Sequence, residues 1–485
     1  MSVFPQSVIE LCSGTVVIVG LGREGFSTYQ FLTQHFPTTA ILFVDDKPMA
    51  ELSARWQTIL KQGDHAVLSA KEIPSRAPTK EHVTLSLSPG IPPNAPVIQA
   101  LERAFPHAKK TSNTDLFFKC ACDTSTIIGV TGTKGKSTTA SLIYTVLSDF
   151  LGTTHVFLGG NIGVPPLDVW EKWRIATDTH QKQPIDKTSS QETKKTIFVL
   201  ELSSHQLSPL TVSPHIAVVQ NVTPEHLDYY SSYEEYKQAK ASITRFQTTR
   251  DTVIYNAAFS ESTDIAHLST GVKVDTSEYR IAPSTIKLKG KTVIERSRVQ
   301  LPGDHNCYNI LPALAIAKMY SIPQQRVQTS IEHFQPLAHR LEYVDTIKEV
   351  QYYNDSLSTT PDATIAALKS FPDTPVVLIA GGYSRGLSFH ALAQELLANS
   401  VAHLVLFRPT GEDIQKELTK INPTHTISIV FVATMQQAAR EAQQHASPGN
   451  IVLLSPGSPS FGTFTNYADR GNQFKQEVTK LKTHA

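Results

Sequence analysis

Four cysteines in 485 residues, at positions 12, 120, 122 and 307, are too few and too scattered for a disulfide framework. The pair Cys120-Ala121-Cys122 has no second cluster to complete a metal site, so these thiols read as ordinary buried groups in a reducing compartment. No stretch reaches the ~20 apolar residues that a membrane helix needs, and Met1 to Leu11 carries no lysine or arginine ahead of an apolar run. A cytoplasmic protein with no membrane partner is expected. Excess charge is missing as well. The 44 basic residues against 43 acidic ones provide no general attraction for nucleic acid or anionic lipid. No repeat of solenoid period is present.

What is there is the mix of a soluble globular protein, 40% hydrophobic and 18% charged. The length asks for roughly three cores rather than one. Apolar strand-like runs alternate with helical segments throughout, which favours α/β architecture with mainly parallel sheets. One block opens with Thr15 to Val19, turns at Gly20-Leu21-Gly22-Arg23-Glu24-Gly25, reaches Ile41 to Val44 and closes near Ser112. A second contains the runs Thr126 to Thr131, Ile197 to Leu200 and Ile216 to Val219 and ends near Pro336. A third has runs at Val376 to Ala380, Leu404 to Phe407, Ile429 to Val432 and Ile451 to Leu454. Within the second block, Ala176 to Lys195 is so poor in apolar side chains that it reads as a mobile surface insertion.

The segment Gly132-Thr133-Lys134-Gly135-Lys136-Ser137-Thr138 follows a strand and precedes Ala140, Ile143, Val146, Leu147 and Phe150 at helical spacing. This pattern builds a phosphate loop. Its glycines let backbone N–H groups close on phosphates, the helix N-terminus adds partial positive charge, Lys136 reaches the terminal phosphates, and the Ser137 hydroxyl suits Mg²⁺. The first glycine departs from the usual Walker spacing, so the motif is a variant.

Open α/β sheets bind ligands at the carboxyl ends of their strands, and two polar residues stand there. Glu201 follows the run Ile197 to Leu200, and His226 lies just beyond Ile216 to Val219. Farther on, Tyr233, Tyr236, Lys240 and Ile243 share one helical face that should be buried. Lys240 is then either a snorkelling side chain or an amine stripped of its charge, able to take up CO₂ as a carbamate and become an anionic metal ligand.

Taken in order, these residues resemble the Mur ligases, and within them the glutamate-adding branch. The markers run through all three blocks: Thr131 to Thr138, Gly160-Asn161-Ile162-Gly163, Glu201 to Ser204 with Gln206-Leu207, and Asn221 to Thr223 with His226-Leu227-Asp228. They continue with Leu301-Pro302-Gly303, His305-Asn306, Tyr308-Asn309, His339-Arg340, Asn354-Asp355-Ser356 and Arg470-Gly471-Asn472. Each marker is weak alone; the ordered set is specific.

The resemblance implies an ATP-dependent acid–amino-acid ligase acting in peptidoglycan biosynthesis, built as three α/β domains. A Rossmann-like domain over 1–115 would bind UDP-N-acetylmuramoyl-L-alanine through Gly20, Gly22, Gly25, Asp45, Ser88 and Gly90, with Asn161 contributing from the central domain. That domain, over 116–336, would be a P-loop-type ATPase. A second Rossmann-like domain over 337–485 would bind glutamate through Arg385, Ser460 and Tyr467. ATP would meet Gly132 to Thr138, Asn306, Asn309, Arg340 and Asp355. Two Mg²⁺ ions are implied, one on Ser137 and Glu201, the other on His226 and a CO₂-derived carbamate on Lys240. Lys136, His226 and Lys240 are the expected catalytic residues, and a monomer without nucleic-acid or membrane partners is expected. Three other readings share some of these motifs: a folylpolyglutamate synthase-like ligase, a regulatory ATPase, and a dehydrogenase using the Gly20 turn for a dinucleotide. One departure falls near the glutamate site. The family pattern has lysine after the Asn-Asp-Ser triplet, whereas Leu357 stands here, and Ser458-Pro459-Ser460-Phe461-Gly462 is also altered. D-glutamate, the default of the family, is expected over L-glutamate, which one branch uses.

Overall fold

The computed structural model describes residues 4–63, 65–73, 82–181, 195–225, 229–301, 303–335, 338–372, 374–398 and 401–483. It divides into two compact units, Met1–Ile294 with Asn309–Ile331, and Glu295–Tyr308 with Glu332–Ala485. The architecture is α/β with mainly parallel sheets.

The first unit holds two parallel sheets. In one, β1 (Thr15–Val19), β2 (Ala40–Val44), β3 (Val67–Leu68), β4 (Val83–Leu87) and β5 (Lys109–Thr111) lie in the order β3-β2-β1-β4-β5. Every residue of β1 is buried, as expected for a central strand covered on both faces, where alternation gives way to a continuous run of Val and Ile. The chain leaves β1 toward β2 and later returns on its other side at β4. The carboxyl ends of β1 and β4 therefore flank a crevice suited to a ligand. Trp56, 1% exposed, closes the covering layer edge-on to Phe43 and Phe26.

The second sheet consists of β6 (Ser125–Thr131), β7 (Val156–Gly160), β8 (Thr196–Glu201), β9 (Ile216–Val219), β10 (Thr252–Tyr255) and β11 (Val272–Asp275), ordered β11-β10-β9-β6-β8-β7 and parallel throughout. Its central position gives β6 two neighbours, β8 and β9, so the ends of all three converge. Glu201 is the last residue of β8 rather than the first beyond it. A small sheet of β12 (Tyr279–Ile281), β13 (Thr285–Leu288) and β14 (Lys291–Glu295) follows, unanticipated by the reading of strands and helices in alternation.

In the second unit, β15 (Glu342–Ile347), β16 (Val350–Asn354), β17 (Val376–Gly381), β18 (Val401–Phe407), β19 (Ser428–Val432) and β20 (Ile451–Leu454) form a sheet ordered β15-β16-β20-β17-β18-β19. Only its edge pair β15–β16 is antiparallel among these neighbours. Alternate residues of the inner strands feed two cores: Leu378, Leu404 and Leu453 on one face, Val377, Val405 and Val452 on the other.

The segment expected to be a mobile insertion begins as helix. Residues 176–181 belong to the helix Pro166–Gln181, and 182–194, with Pro336 and His226, lie outside the described residues. Helical continuation costs little there because the neighbouring turns of the helix pack Leu167, Val169 and Trp170 into the core. All four cysteines are free thiols, Cys12 and Cys307 buried and the other two half-buried. No described helix is long and apolar enough to cross a membrane.

Candidate active site

The phosphate loop leaves β6 at Thr131 and enters the helix Lys136–Leu151. Gly135 has φ +85°, and a Cβ there would stand 2.2 Å from Asn309 Oδ1, so a larger residue would be strained and would displace that side chain. Thr133 anchors the loop to the chain beyond β9: its N–H donates to Asn221 O at 2.8 Å, while its hydroxyl accepts from Thr223 N at 2.8 Å and donates to Thr223 O at 2.9 Å. Lys136 folds back, its Nζ donating to Gly132 O at 3.1 Å and Thr133 O at 2.8 Å. Thr138 is buried, Ser137 half-buried and Lys134 exposed.

Glu201, 2% exposed, meets this loop from β8. Its Oε1 accepts from Asn161 Nδ2 at 2.7 Å, whereas Oε2 is buried with no hydrogen-bond partner among the described residues. An unpaired buried carboxylate oxygen is costly, and a cation is the natural remedy. Lys240 projects from the helix Tyr233–Arg245 and is 1% exposed, with Tyr236 and Ile243 buried on the same face and Tyr233 half-buried. Its Nζ donates to Gly132 O at 2.8 Å. Burial first, and the charge of Lys136 second, push its pKa well below that of an ordinary lysine, against a weaker pull from Glu225 and Glu201. Lys136, Glu201, Asn161, Lys240 and Asn309 thus belong to one unit and gather about the end of β6.

At the crevice of the first sheet, Gly20 has φ +89° and would clash with Ser88 if it carried a Cβ, 2.8 Å from that residue's own. Ser88 Oγ donates to Gly20 O at 2.8 Å. Asp45 caps the turn from β2, accepting from Leu21 N at 2.7 Å and Lys47 N at 2.9 Å. Gly22 and Gly90 have open space around them, and Gly25 packs on the Gly20 carbonyl. A cavity of about 240 Å³ adjoins this turn, lined by Ser88, Ile91, Ile98 and Glu24 from the first block and by Gln206 and Tyr229 from the second.

The second unit carries the remaining residues. Asp355, 3% exposed, follows β16 and accepts from Leu341 N at 3.1 Å and Ser455 Oγ at 2.7 Å. Burial pushes its pKa up to about 6 despite those bonds and the Arg340 charge. Arg340 is half-buried and Asn306 buried. Arg385 is exposed, its guanidinium 5.9 Å from the Phe461 ring; Ser460 is buried and Tyr467, opening the helix Tyr467–Thr483, is exposed. Leu357 is half-buried, its N–H donating to His339 O at 2.9 Å.

Arg470, to which the sequence alone gives no role, is 1% exposed and donates to Ser356 Oγ at 2.9 Å, Ser356 O at 2.9 Å and Ser458 O at 3.0 Å. It ties the loop carrying Asp355 to the loop carrying Ser460. Its place in the Arg470-Gly471-Asn472 marker was the available signal.

Residues 130–317 match the family described as the Mur ligase middle domain, and residues 339–457 match the Mur ligase, glutamate ligase domain. A UDP-N-acetylmuramoylalanine--D-glutamate ligase of Streptococcus sanguinis (strain SK36) is 31% identical over 488 residues, covering 98% of this chain and 100% of that protein. The enzyme of the same name from Streptococcus pneumoniae serotype 19F (strain G54) is 31% identical over 478 residues, covering 96% and 97%. Among solved structures, a UDP-N-acetylmuramate-alanine ligase of Thermotoga maritima has a TM-score of 0.55 at 15% identity, covering 97% of this chain and 99% of its own. A MurF ligase of Thermotoga maritima in complex with ADP also has a TM-score of 0.55 at 15% identity, covering 99% and 98%.

Proposed function

The chain belongs to the Mur ligase family, and from that premise we propose that it joins glutamate to the carboxylate of UDP-N-acetylmuramoyl-L-alanine at the expense of ATP. The observation that carries the chemistry is the convergence, at the ends of β6 and β8, of a phosphate loop, a lysine folded over it and a buried carboxylate with one unpaired oxygen. D-glutamate is the enantiomer in the names of the 31%-identical relatives, which supports it over L-glutamate here. The three-domain reading, 1–115, 116–336 and 337–485, assigns the nucleotide-sugar substrate, ATP and glutamate in that order.

A carboxylate is a poor acyl donor because its oxygen is a poor leaving group. In the proposed reaction a carboxylate oxygen of the acceptor attacks the γ-phosphorus of ATP, and ADP departs. The glutamate amine then adds to the acyl phosphate carbonyl, and the tetrahedral intermediate expels phosphate. Backbone N–H groups of Gly132 to Thr138 would cradle the phosphates, and Lys136 would leave its carbonyl partners to neutralise charge on the transferring group. Asn309, packed on Gly135, would hold the nucleotide end of the loop. Arg385 suits the side-chain carboxylate of an acidic amino acid.

The unpaired Glu201 oxygen supports one Mg²⁺ ion, and the family pattern implies a second. Glu201 Oε2 lacks a partner among the described residues, Ser137 lies in the first turn of the helix Lys136–Leu151, and burial favours the uncharged form of Lys240, the form that reacts with CO₂. Ser137 and Glu201 would hold one ion, and His226 with a carbamate on Lys240 the other. Bound there, the metal supplies neutralisation of phosphate charge.

The test is ADP release from the purified enzyme with UDP-N-acetylmuramoyl-L-alanine and either enantiomer of glutamate. Release that requires both acceptor and D-glutamate supports the reading; release that needs neither, or prefers a neutral amino acid, overturns it.

A further inference from the structure

The two residues between the second and third glycines of the Gly20 turn, Arg23 and Glu24, both reach across to the second sheet. Arg23 donates through one guanidinium nitrogen to Gly163 O at 3.1 Å and through another to Asn161 O at 3.4 Å. Asn161 in turn donates its side-chain amide to Glu201 Oε1 and its backbone N–H to Glu201 O at 2.8 Å. In the chain just beyond β8, Glu24 Oε1 accepts from Gln206 Nε2 at 2.7 Å. The orientation of that amide is fixed. Gln206 Oε1 accepts from Ser203 N at 3.0 Å and lies 3.1 Å from Ser203 Oγ, which itself accepts from Gln206 N, a capping box two residues beyond Glu201.

We propose that Arg23 and Glu24 are positioning residues, a two-pronged bracket that fixes the nucleotide-sugar turn against the strand end bearing Glu201. An acceptor held at the glycine turn would then present its carboxylate in register with the phosphate loop. The proposal rests on the function proposed above.

Stability alone does not account for such a contact. Glu24 Oε2 is buried with no partner among the described residues, and burial pushes the carboxyl pKa up to about 7 against the pull of Gln206 and Arg23. A half-satisfied buried carboxylate costs more than an apolar pair of the same volume. What it supplies instead is direction, since one donor and one acceptor meet in a single geometry.

The experiment compares wild type with Glu24→Ala, Glu24→Gln and Arg23→Ala. It measures kcat for ligation, Kd for UDP-N-acetylmuramoyl-L-alanine and for a non-hydrolysable ATP analogue by calorimetry, and thermal unfolding. Misplacing one reactant lowers the rate without abolishing binding, so Glu24→Ala is expected to lose about 10- to 100-fold in kcat with each Kd within about threefold of wild type. Arg23→Ala should lose less, because its prong is exposed. Glu24→Gln keeps an acceptor for Gln206 Nε2 and should recover most of the rate. Wild-type kcat in Glu24→Ala overturns the bracket; so does an equal loss in Glu24→Gln, or lost binding that tracks a lowered unfolding temperature. Absence of turnover in the wild type would instead remove the proposed function, which separates the two failures.

Discussion

Lys136 and Lys240 point their amines at the same carbonyl, that of Gly132, yet they are expected to do different work. Lys136 is half-buried and would swing from the Gly132 and Thr133 carbonyls to phosphate, so Lys136→Ala should cost on the order of 10³-fold or more in kcat, with acceptor affinity kept. Steady-state kinetics with calorimetric titration of the acceptor checks this; turnover within tenfold of wild type would remove Lys136 from phosphoryl transfer. Lys240 is enclosed, and its burial favours the neutral amine. Lys240→Ala is therefore expected to be nearly inactive and to regain activity with millimolar acetate or formate, which can stand where the carbamate would. A ¹³C carbamate resonance in wild type supplied with ¹³CO₂, absent from the variant, is the direct check.

At the scale of elements, the parallel strands were the legible part. Central strands read as unbroken apolar runs, and β1, β9 and β20 occupy the residues their runs marked. The hairpins were not legible. The turn between β13 and β14 is Lys289-Gly290, with φ of +48° and +79°, and the turn between β15 and β16 is Lys348-Glu349, with φ of +48° and +62°. Neither offers the Asn-Gly or Asp-Gly pair that announces such a turn, and Lys348-Glu349 adopts it without any glycine. The bracket was hidden for a different reason: Glu24 and Gln206 lie 182 residues apart, and no local pattern reports a contact of that span.

A strand–helix contact of the second unit has a pH consequence. His403 on β18 stacks on His445, the last residue of the helix Met435–His445, with ring centroids 3.7 Å apart. His403 is 3% exposed, neither ring nitrogen has a partner among the described residues, and burial followed by the His445 charge pushes its pKa from 6.5 to about 4. The unfolded chain therefore takes up this proton first as pH falls. Its contribution is complete above pH 6.5 and is lost between there and about pH 4. Urea unfolding at pH 7 and pH 5 should show a smaller loss for His403→Leu than for wild type; equal losses would mean that the ring finds a partner on protonation.

At the scale of the whole molecule the ligase identity rests on the family matches, and the proposed sites would follow along the chain in the order acceptor, ATP, glutamate. The family was legible from the ordered motifs, and the matches over residues 130–317 and 339–457 agree with it. The enantiomer was not, because handedness depends on how side chains are arranged around the amino acid rather than on their identities.

The claim at the centre is that the acceptor carboxylate is phosphorylated before the amine arrives, and oxygen transfer tests it most directly. With the acceptor carboxylate labelled with ¹⁸O, turnover with ATP and D-glutamate should place one labelled oxygen in each phosphate released, read by ³¹P NMR. Phosphate carrying no label would contradict the acyl-phosphate route and, with it, the role assigned to the phosphate loop.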